Sequence, residues 1–182
     1  MDFQSFIKKL EQDKELVRVK TPVSRHLEAS AILKELDGRP VLFEKIRESA
    51  FPLAGNIFST KSLIAKYFGV KEPALIPKMI QAIDSPSKPE AIKHAPCQEE
   101  TLEEVDLNKL PILFHTEKDG GPYISSAIFI ASHPELGQNV SFHRGMQIAK
   151  DKLVLRILER DLNAFLKKEG ELKVACCIGN PI

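Results

Sequence analysis

The sequence has few cysteines, almost no net charge and no long hydrophobic segment. Its 26 basic and 25 acidic residues leave a net charge of +1, which gives no electrostatic reason to expect a nucleic-acid surface. No apolar run reaches the roughly 18 residues that a transmembrane helix needs. The N-terminus carries charges every few residues and has no hydrophobic signal-peptide core. These absences predict a cytoplasmic protein that neither spans a membrane nor binds nucleic acid.

The three cysteines do not suggest a disulfide framework. Cys97 lies in a proline-rich stretch, and Cys176 and Cys177 are adjacent. Successive strand residues point to opposite faces, so an adjacent pair cannot chelate one metal as a Cys-x-x-Cys pair can. We expect these thiols to pack as small apolar groups.

Several common catalytic signatures are also absent from the sequence. It contains no GxGxxG, GxxxxGK[ST], HExxH or GxSxG motif. Their absence argues against a Rossmann dehydrogenase, a P-loop NTPase, an HExxH metalloprotease and an α/β-hydrolase.

Helical and strand patterns alternate over roughly the first 83 residues. Apolar residues recur at helical spacing from Phe3 to Leu10, and Asp2 is the expected N-cap. Further helices are predicted at about 27–36, 59–69 and up to 83, and strands at about 15–23, 38–46 and 51–58. This alternation predicts a small α/β domain over residues 1–90.

The segment 84–96 is the expected domain boundary. It contains Pro86, Pro89 and Pro96, and such a stretch forms neither a helix nor a central strand readily. We therefore expect a linker here and a second domain over residues 97–182.

The second half contains short strand patterns in close succession. Strands are predicted at 122–132, 138–149 and 151–158, followed by a helix at 158–168 and a strand at 172–178. Closely spaced strands favour an antiparallel barrel or sandwich. Four strands would enclose little core, so we expect this domain to be incomplete.

Two segments contain residues suited to chemistry. The Gly120–Gly121 pair is typical of a turn, here before a predicted strand. On a regular strand, Asn139, Ser141, His143 and Gln147 would share one face, and Phe142, Arg144 and Met146 the other. The polar face is either a solvated sheet surface or an oxygen-rich lining for a phosphate and a hard cation.

The chain resembles the UbiD family of decarboxylases. Seven stretches occur in the family's order, followed by a strand similar to the family's cofactor-site strand. The stretches are 2–6 (DFQSF), 15–19 (ELVRV), 22–23 (PV), 39–44 (RPVLFE), 52–58 (PLAGNIF), 106–112 (DLNKLPI) and 119–124 (DGGPYI), and the strand carries the pattern Asn139-x-Ser141-x-x-Arg144.

The resemblance implies an α+β protein, with a small N-terminal α/β domain followed by part of a split β-barrel. It implies decarboxylation of an α,β-unsaturated or aromatic acid with prenylated FMN, a divalent metal (Mn²⁺ or Mg²⁺) and K⁺ as a further candidate ion. Hydroxybenzoate-type acids and an archaeal anhydromevalonate phosphate are the candidate substrates. A flavin prenyltransferase would supply the cofactor, and a homo-oligomer or a completing C-terminal chain is the expected assembly.

Matching positions give the candidate site residues. Asn139 corresponds to the family's metal ligand, Ser141 and Phe142 to cofactor-lining positions, and Arg144 to the catalytic arginine that holds the substrate carboxylate. Asn139 and Arg144 lie on opposite faces of a regular strand, so both reach one site only if the strand is irregular. We predict that irregularity near residues 143–145.

Three further residues are candidates, and the roles of two of them, Asp161 and His143, stay open. Asp161 stands where the family usually has a metal-binding His, and it either replaces that ligand or interacts with a helix dipole. Arg160 matches a neighbouring cofactor-site position. His143 either contributes to cofactor or anion binding or is a structural histidine.

The family's third metal ligand and its acid–base carboxylates fall beyond Ile182. We therefore expect the chain alone to be inactive and to be a fragment of a longer enzyme. The alternatives are one subunit of a split decarboxylase and a non-catalytic module that binds prenylated FMN.

Overall fold

The computed structural model describes residues 1–180 and has mixed helix and strand content, as predicted. The first half contains four helices and three strands: α1 (Phe3–Gln12), β1 (Val17–Val19), α2 (Glu28–Glu35), β2 (Val41–Phe43), β3 (Leu53–Gly55), α3 (Lys61–Tyr67) and α4 (Leu75–Asp84), with a 3-10 turn at Glu72–Ala74. The second half contains β4 (Tyr123–Ile124), β5 (Ile128–His133), β6 (Gly137–Phe142), β7 (Gly145–Ala149), β8 (Lys152–Leu155), α5 (Asp161–Glu169) and β9 (Val174–Cys177), preceded by 3-10 turns at Pro96–Gln98 and Leu107–Lys109.

The helix caps of the first half follow from the sequence. The Asp2 side chain accepts a hydrogen bond from the Ser5 amide at 2.8 Å, as expected of the N-cap of α1. Thr60 caps α3 in the same way, accepting from the Leu63 amide at 3.2 Å. These side chains satisfy amides that have no partner inside the helix, and so fix where each helix begins.

A three-stranded sheet organises the first half, in the order β1-β2-β3. The pair β1–β2 is parallel and β2–β3 is antiparallel. The helices cover it with two apolar clusters, one around Phe6 and Leu10 of α1 and one around Val41 and Phe43 of β2. All four of these side chains are fully buried.

The second half forms two separate three-stranded antiparallel sheets, not three long strands. Their orders are β4-β7-β8 and β6-β5-β9. The predicted continuous strands 122–132 and 138–149 were therefore wrong. Each is broken in the middle, because its two halves pair in different sheets.

The segment 107–114 contacts the first half of the chain before the strands of the second half begin. Leu113 is buried in the same cluster as Val41 and Phe43. The Arg25 guanidinium donates to the Leu110 carbonyl at 3.1 Å, and the amide of Leu27 donates to the carbonyl of Phe114 at 3.0 Å. These contacts fix the start of the second half against the first.

Within residues 1–180, no helix combines the length and the apolar character needed to cross a membrane.

Candidate functional site

The candidate site lies where the chain leaves one sheet and enters the other. Strand β6 ends at Phe142 and β7 begins at Gly145, so His143 and Arg144 lie between strands. This break confirms the irregularity predicted near residues 143–145. Gly145 is buried, and a Cβ atom there would lie 3.2 Å from Leu155 Cδ2. The absence of a side chain at Gly145 lets the chain cross at this crowded point.

Three polar side chains meet at the end of β6. Ser141 Oγ lies 2.9 Å from Asn139 Oδ1 and 2.9 Å from His143 Nε2. The other ring nitrogen, Nδ1, lies 3.2 Å from the backbone carbonyl oxygen of Arg156. The His143 ring also packs edge-on against Phe129, with ring centroids 5.6 Å apart. Both nitrogens of His143 thus have partners within the protein, as expected of a structural histidine.

The sheet register places this cluster on the face covered by α5. Asn139 lies opposite Ala131, and Ser141 opposite Phe129. Residues directly opposite each other in an antiparallel pair point to the same face. Ala131 is buried in a cluster with Leu162 and Phe165, which belong to α5. Asn139 and Ser141 therefore share a face with that helix.

The direction of α5 brings its first turn toward the cluster. At its C-terminal end, Glu169 accepts a hydrogen bond from His133 at 2.8 Å, and His133 pairs with Gly137 at the hairpin end of β5 and β6. The first turn, with Arg160 as N-cap and Asp161 as first residue, therefore points toward the other end of β6. That end carries Ser141.

The remaining predicted residues do not join the hydrogen-bonded cluster. Phe142 points to the opposite face of β6 and is 74% exposed. Arg144 and Arg160 are exposed, and within residues 1–180 neither forms an ion pair. Asp161 is exposed in the first turn of α5, where a carboxylate interacts favourably with the helix dipole.

Gln147 was predicted to share a face with Asn139, and this was wrong. It lies in β7, in the other sheet, where it is buried and donates from Nε2 to Asn108 Oδ1 at 2.9 Å. The break at residues 143–144 separates it from β6, so strand alternation does not carry through.

Three arginine side chains lie exposed near the end of β6 and in the β8–α5 loop. Arg144, Arg156 and Arg160 are exposed and unpaired within the described chain, whereas Glu159 is paired with Lys167 at 3.5 Å. Unpaired guanidinium groups are suited to binding carboxylates and phosphates.

Cys176 lies in β9, opposite Phe129 of β5. Desolvation by partial burial, and secondarily Cys177, raise the pKa of Cys176, so its side chain stays a thiol.

The residues present fit a divalent cation only in part. Asn139 and Asp161 offer oxygen atoms, the ligand type that Mg²⁺ and Mn²⁺ prefer. Within residues 1–180, no three or more His, Cys, Asp or Glu side chains come together in a way that could hold a metal. These two side chains would therefore supply part of a coordination shell.

Sequence reasoning missed two parts of the site. One is the backbone carbonyl of Arg156, which contacts His143 because of the path of the β8–α5 loop. Every residue has a backbone carbonyl, so the residue type does not indicate this contact. The other is Phe129, which supports the His143 ring. Its burial follows from the alternating pattern of β5, but its partner becomes visible only with the sheet register.

Two family models match the chain. The N-terminal domain of 3-octaprenyl-4-hydroxybenzoate carboxy-lyase matches residues 7–83, and the Rift-related domain of the same enzyme family matches residues 90–182. The chain belongs to the UbiD family, which confirms the resemblance carried by the sequence stretches.

Several individual relatives are named anhydromevalonate phosphate decarboxylases. The chain is 35% identical over 173 residues to the anhydromevalonate phosphate decarboxylase of Methanosarcina mazei, covering 95% of this chain and 40% of that protein. It is 31% identical over 170 residues to the enzyme of the same name from Methanothermobacter thermautotrophicus, covering 91% and 40%. The chain thus spans about 40% of the length of these relatives.

Solved structures match the fold of this chain over nearly its whole length. The UbiD-class enzyme HmfF from Pelotomaculum thermopropionicum, in an evolved dimeric form in complex with prFMN, matches with a TM-score of 0.93 and 33% identity, covering 99% of this chain and 44% of that one. The same enzyme in complex with FMN matches with a TM-score of 0.92, 33% identity and coverage of 98% and 42%.

Proposed function

We propose that this chain supplies the cofactor- and metal-binding part of a decarboxylase site that uses prenylated FMN. The observation that carries the proposal is the hydrogen-bonded cluster of Asn139, Ser141 and His143, with Arg144 beside it and the first turn of α5 on the same face. The solved structures of HmfF with prFMN and FMN support the choice of cofactor. We also propose that residues 1–90 and 97–182 form two domains of this enzyme.

Each candidate residue has a role in the proposed site. Asn139 and Asp161 would supply oxygen ligands to a Mn²⁺ or Mg²⁺ ion, which would add positive charge beside the cofactor. Ser141 would line the cofactor from the face that β6 shares with α5, Phe142 from the end of the strand where the chain turns, and Arg160 would add positive charge beside the cofactor phosphate. His143 supports this lining. Arg144 holds the substrate carboxylate by a bidentate, permanently charged contact.

These tasks divide the reaction between protein and cofactor. When bound, prenylated FMN supplies the electrophilic ring system that accepts the electron pair left by CO₂. Arg144 fixes the orientation of the carboxylate until the carbon–carbon bond breaks. A proton must then return to the carbon that lost CO₂. We propose that the proton donor comes from another part of the assembled enzyme, so this chain alone is expected not to turn over.

The proposed substrate is an α,β-unsaturated or aromatic carboxylic acid. The methanogen relatives favour an anhydromevalonate phosphate among these acids. The unpaired Arg144, Arg156 and Arg160 are consistent with a ligand that carries phosphate as well as carboxylate.

The test is cofactor binding by the chain produced together with a flavin prenyltransferase. We expect the purified chain to retain a flavin in the presence of Mn²⁺, read from its absorbance spectrum after gel filtration. Asn139→Ala and Asp161→Asn should each weaken retention by about 10-fold or more. The first removes a metal ligand, and the second replaces a charged carboxylate with a neutral, weaker amide ligand.

Matched controls lie nearby on other surfaces. Gln138→Ala changes the neighbouring residue of β6 on its exposed, opposite face, and Asp151→Asn changes an exposed carboxylate in the β7–β8 turn. Both should bind flavin as the unmodified chain does. Equal retention by Asn139→Ala and Gln138→Ala would refute the assigned site. Flavin retention without turnover is the expected result for this chain, and robust decarboxylation by the chain alone would refute the assignment of the proton donor to another part of the enzyme.

A further inference from the structure

The two ring nitrogens of His143 connect two elements of the candidate site. Nδ1 faces the carbonyl oxygen of Arg156 at 3.2 Å, and Nε2 faces Ser141 Oγ at 2.9 Å. Arg156 lies in the loop between β8 and α5, five residues before Asp161, while Ser141 lies on β6. The ring therefore joins the strand that carries Asn139 to the loop that leads to Asp161.

The carbonyl of Arg156 determines which ring nitrogen carries the proton. A carbonyl oxygen only accepts hydrogen bonds, so Nδ1 of His143 must be the donor. In a neutral imidazole with a proton on Nδ1, Nε2 is an acceptor. The group that faces Nε2 is the Ser141 hydroxyl, which therefore donates its proton to His143.

This donation has a consequence for Asn139. The Ser141 hydroxyl has one proton, yet its oxygen lies 2.9 Å from both His143 Nε2 and Asn139 Oδ1. Once the proton is directed to His143, Oγ can only accept from Asn139, and this requires Nδ2 to face it. A half-turn of the Asn139 amide exchanges oxygen and nitrogen at nearly the same positions. The Asn139 oxygen then points away from Ser141 and no longer accepts from its hydroxyl.

We propose that His143 is a positioning residue, which acts through Ser141 to turn the Asn139 carbonyl oxygen toward a bound cation. The inference rests on the proposed function, in which Asn139 is a metal ligand. Without the acceptor at His143 Nε2, the Ser141 hydroxyl donates to the Asn139 oxygen and competes with the cation for it. The imidazole thus orients Asn139 through Ser141. Hydrogen-bonded groups outside the coordination shell orient many metal ligands in this way.

The surroundings of His143 hold the ring in the orientation this requires. Phe129, which is 3% exposed, packs against it edge-on at 5.6 Å. Rotating the ring by half a turn would exchange the Nδ1 and Cδ2 positions and leave the Arg156 carbonyl facing a carbon. The contacts with Phe129, Ser141 and Arg156 therefore favour a single ring orientation and a single tautomer.

The first experiment reads the tautomer directly and needs no cofactor. Two-bond ¹H–¹⁵N spectra of the ¹⁵N-labelled chain should show His143 protonated on Nδ1 and unprotonated on Nε2, with the signal assigned by its loss in His143→Gln. His133 is an internal reference with the opposite pattern, because its Nδ1 lies 3.1 Å from the amides of Glu135 and Leu136 and must accept from both. A proton on Nε2 of His143, in either the Nε2–H or the doubly protonated form, would overturn the inference.

The second experiment measures Mn²⁺ binding by electron paramagnetic resonance in the presence of FMN. His143→Phe keeps an aromatic ring beside Phe129 and removes both hydrogen bonds. His143→Asn keeps a donor in the place of Nδ1 and loses the acceptor in the place of Nε2. Both variants should weaken Mn²⁺ binding by about 10-fold. Ser141→Ala removes the hydroxyl that competes with the cation for the Asn139 oxygen, so it should weaken Mn²⁺ binding less than His143→Phe does.

The outcomes separate this inference from the proposed function. Mn²⁺ binding by His143→Phe as tight as in the unmodified chain would overturn the positioning role alone. Absence of Mn²⁺ binding in the unmodified chain would overturn the cation role of Asn139 and with it both proposals. Gln138→Ala is the control for strand substitutions, and a thermal unfolding midpoint of each variant separates a local loss of binding from unfolding.

Discussion

His133 ties the β5–β6 hairpin to α5, and its replacement tests how that hairpin is held. Its side chain is 2% exposed, its Nδ1 accepts from the amides of Glu135 and Leu136 at 3.1 Å each, and its Nε2 donates to Glu169 at 2.8 Å. The ring also packs on Phe165, with centroids 5.4 Å apart. One imidazole thus closes the turn and docks the helix.

The expected cost of His133→Ala combines lost hydrogen bonds and a cavity. The two turn hydrogen bonds contribute about 1 kcal/mol each and the vacated ring volume costs about 2 kcal/mol, which gives about 4 kcal/mol without the bond to the exposed Glu169 carboxylate. His133→Asn places a carbonyl oxygen close to the position of Nδ1 and keeps the turn bonds. We therefore expect His133→Asn to lose only about 2 kcal/mol.

Urea unfolding followed by circular dichroism measures both variants. His133→Gln serves as the matched control, because its amide reaches the position of Nε2 rather than that of Nδ1 and cannot close the turn. Equal free energies of unfolding for the Ala and Asn variants would show that the turn hydrogen bonds contribute nothing, and would refute the reasoning.

Three further predictions address the rest of the fold. Leu113→Ala should lower the free energy of unfolding by about 2–4 kcal/mol in urea titrations, because a residue from beyond the linker fills the core of the first half. Gly145→Val should cost about 1–3 kcal/mol and reduce flavin retention, since a Cβ atom already lies 3.2 Å from Leu155 Cδ2; normal retention at full stability would contradict the close approach. The backbone amide of Ser24, and then Arg47, lower the pKa of Glu28 below its ordinary value of 4.5, so its contribution to stability is present above that pH and is lost as the pH falls through the lower folded-state pKa. The decline in urea midpoint between pH 7 and pH 3 should therefore be shallower in Glu28→Gln, and an unchanged slope would exclude this carboxylate as a source of acid sensitivity.

Local signals were sufficient to locate the helices of the first half. Helical spacing of apolar residues located α1, and the buried Phe6 and Leu10 are the residues that this spacing selects. Asp2 and Thr60 are short polar side chains at the positions where a helix needs an acceptor for its free amides. Each of these signals operates within a few residues, so it can be read from the sequence.

The two broken strands could not be predicted in the same way. Apolar residues continue through residues 122–132 and 138–149, and alternation alone does not tell which sheet a residue pairs with. The pairs Ile124–Gly145 and Phe129–Ser141 belong to different sheets, and neither is encoded locally. The break at residues 143–144 was predicted because a family resemblance placed Asn139 and Arg144 in one site, and alternation alone could not put them there.

That break also explains why a polar cluster forms at the end of β6. A strand continuing past Phe142 would pair His143 in the ladder and direct its backbone groups to a neighbouring strand. Because the chain instead turns toward the second sheet, the His143 ring lies beside Phe129 and reaches the carbonyl of Arg156. The same change of direction leaves Arg144 exposed and unpaired within the described residues. A regular strand through residues 138–149 would have kept the sheet pairing but lost the contact between β6 and the β8–α5 loop, and with it the arrangement on which the candidate site depends.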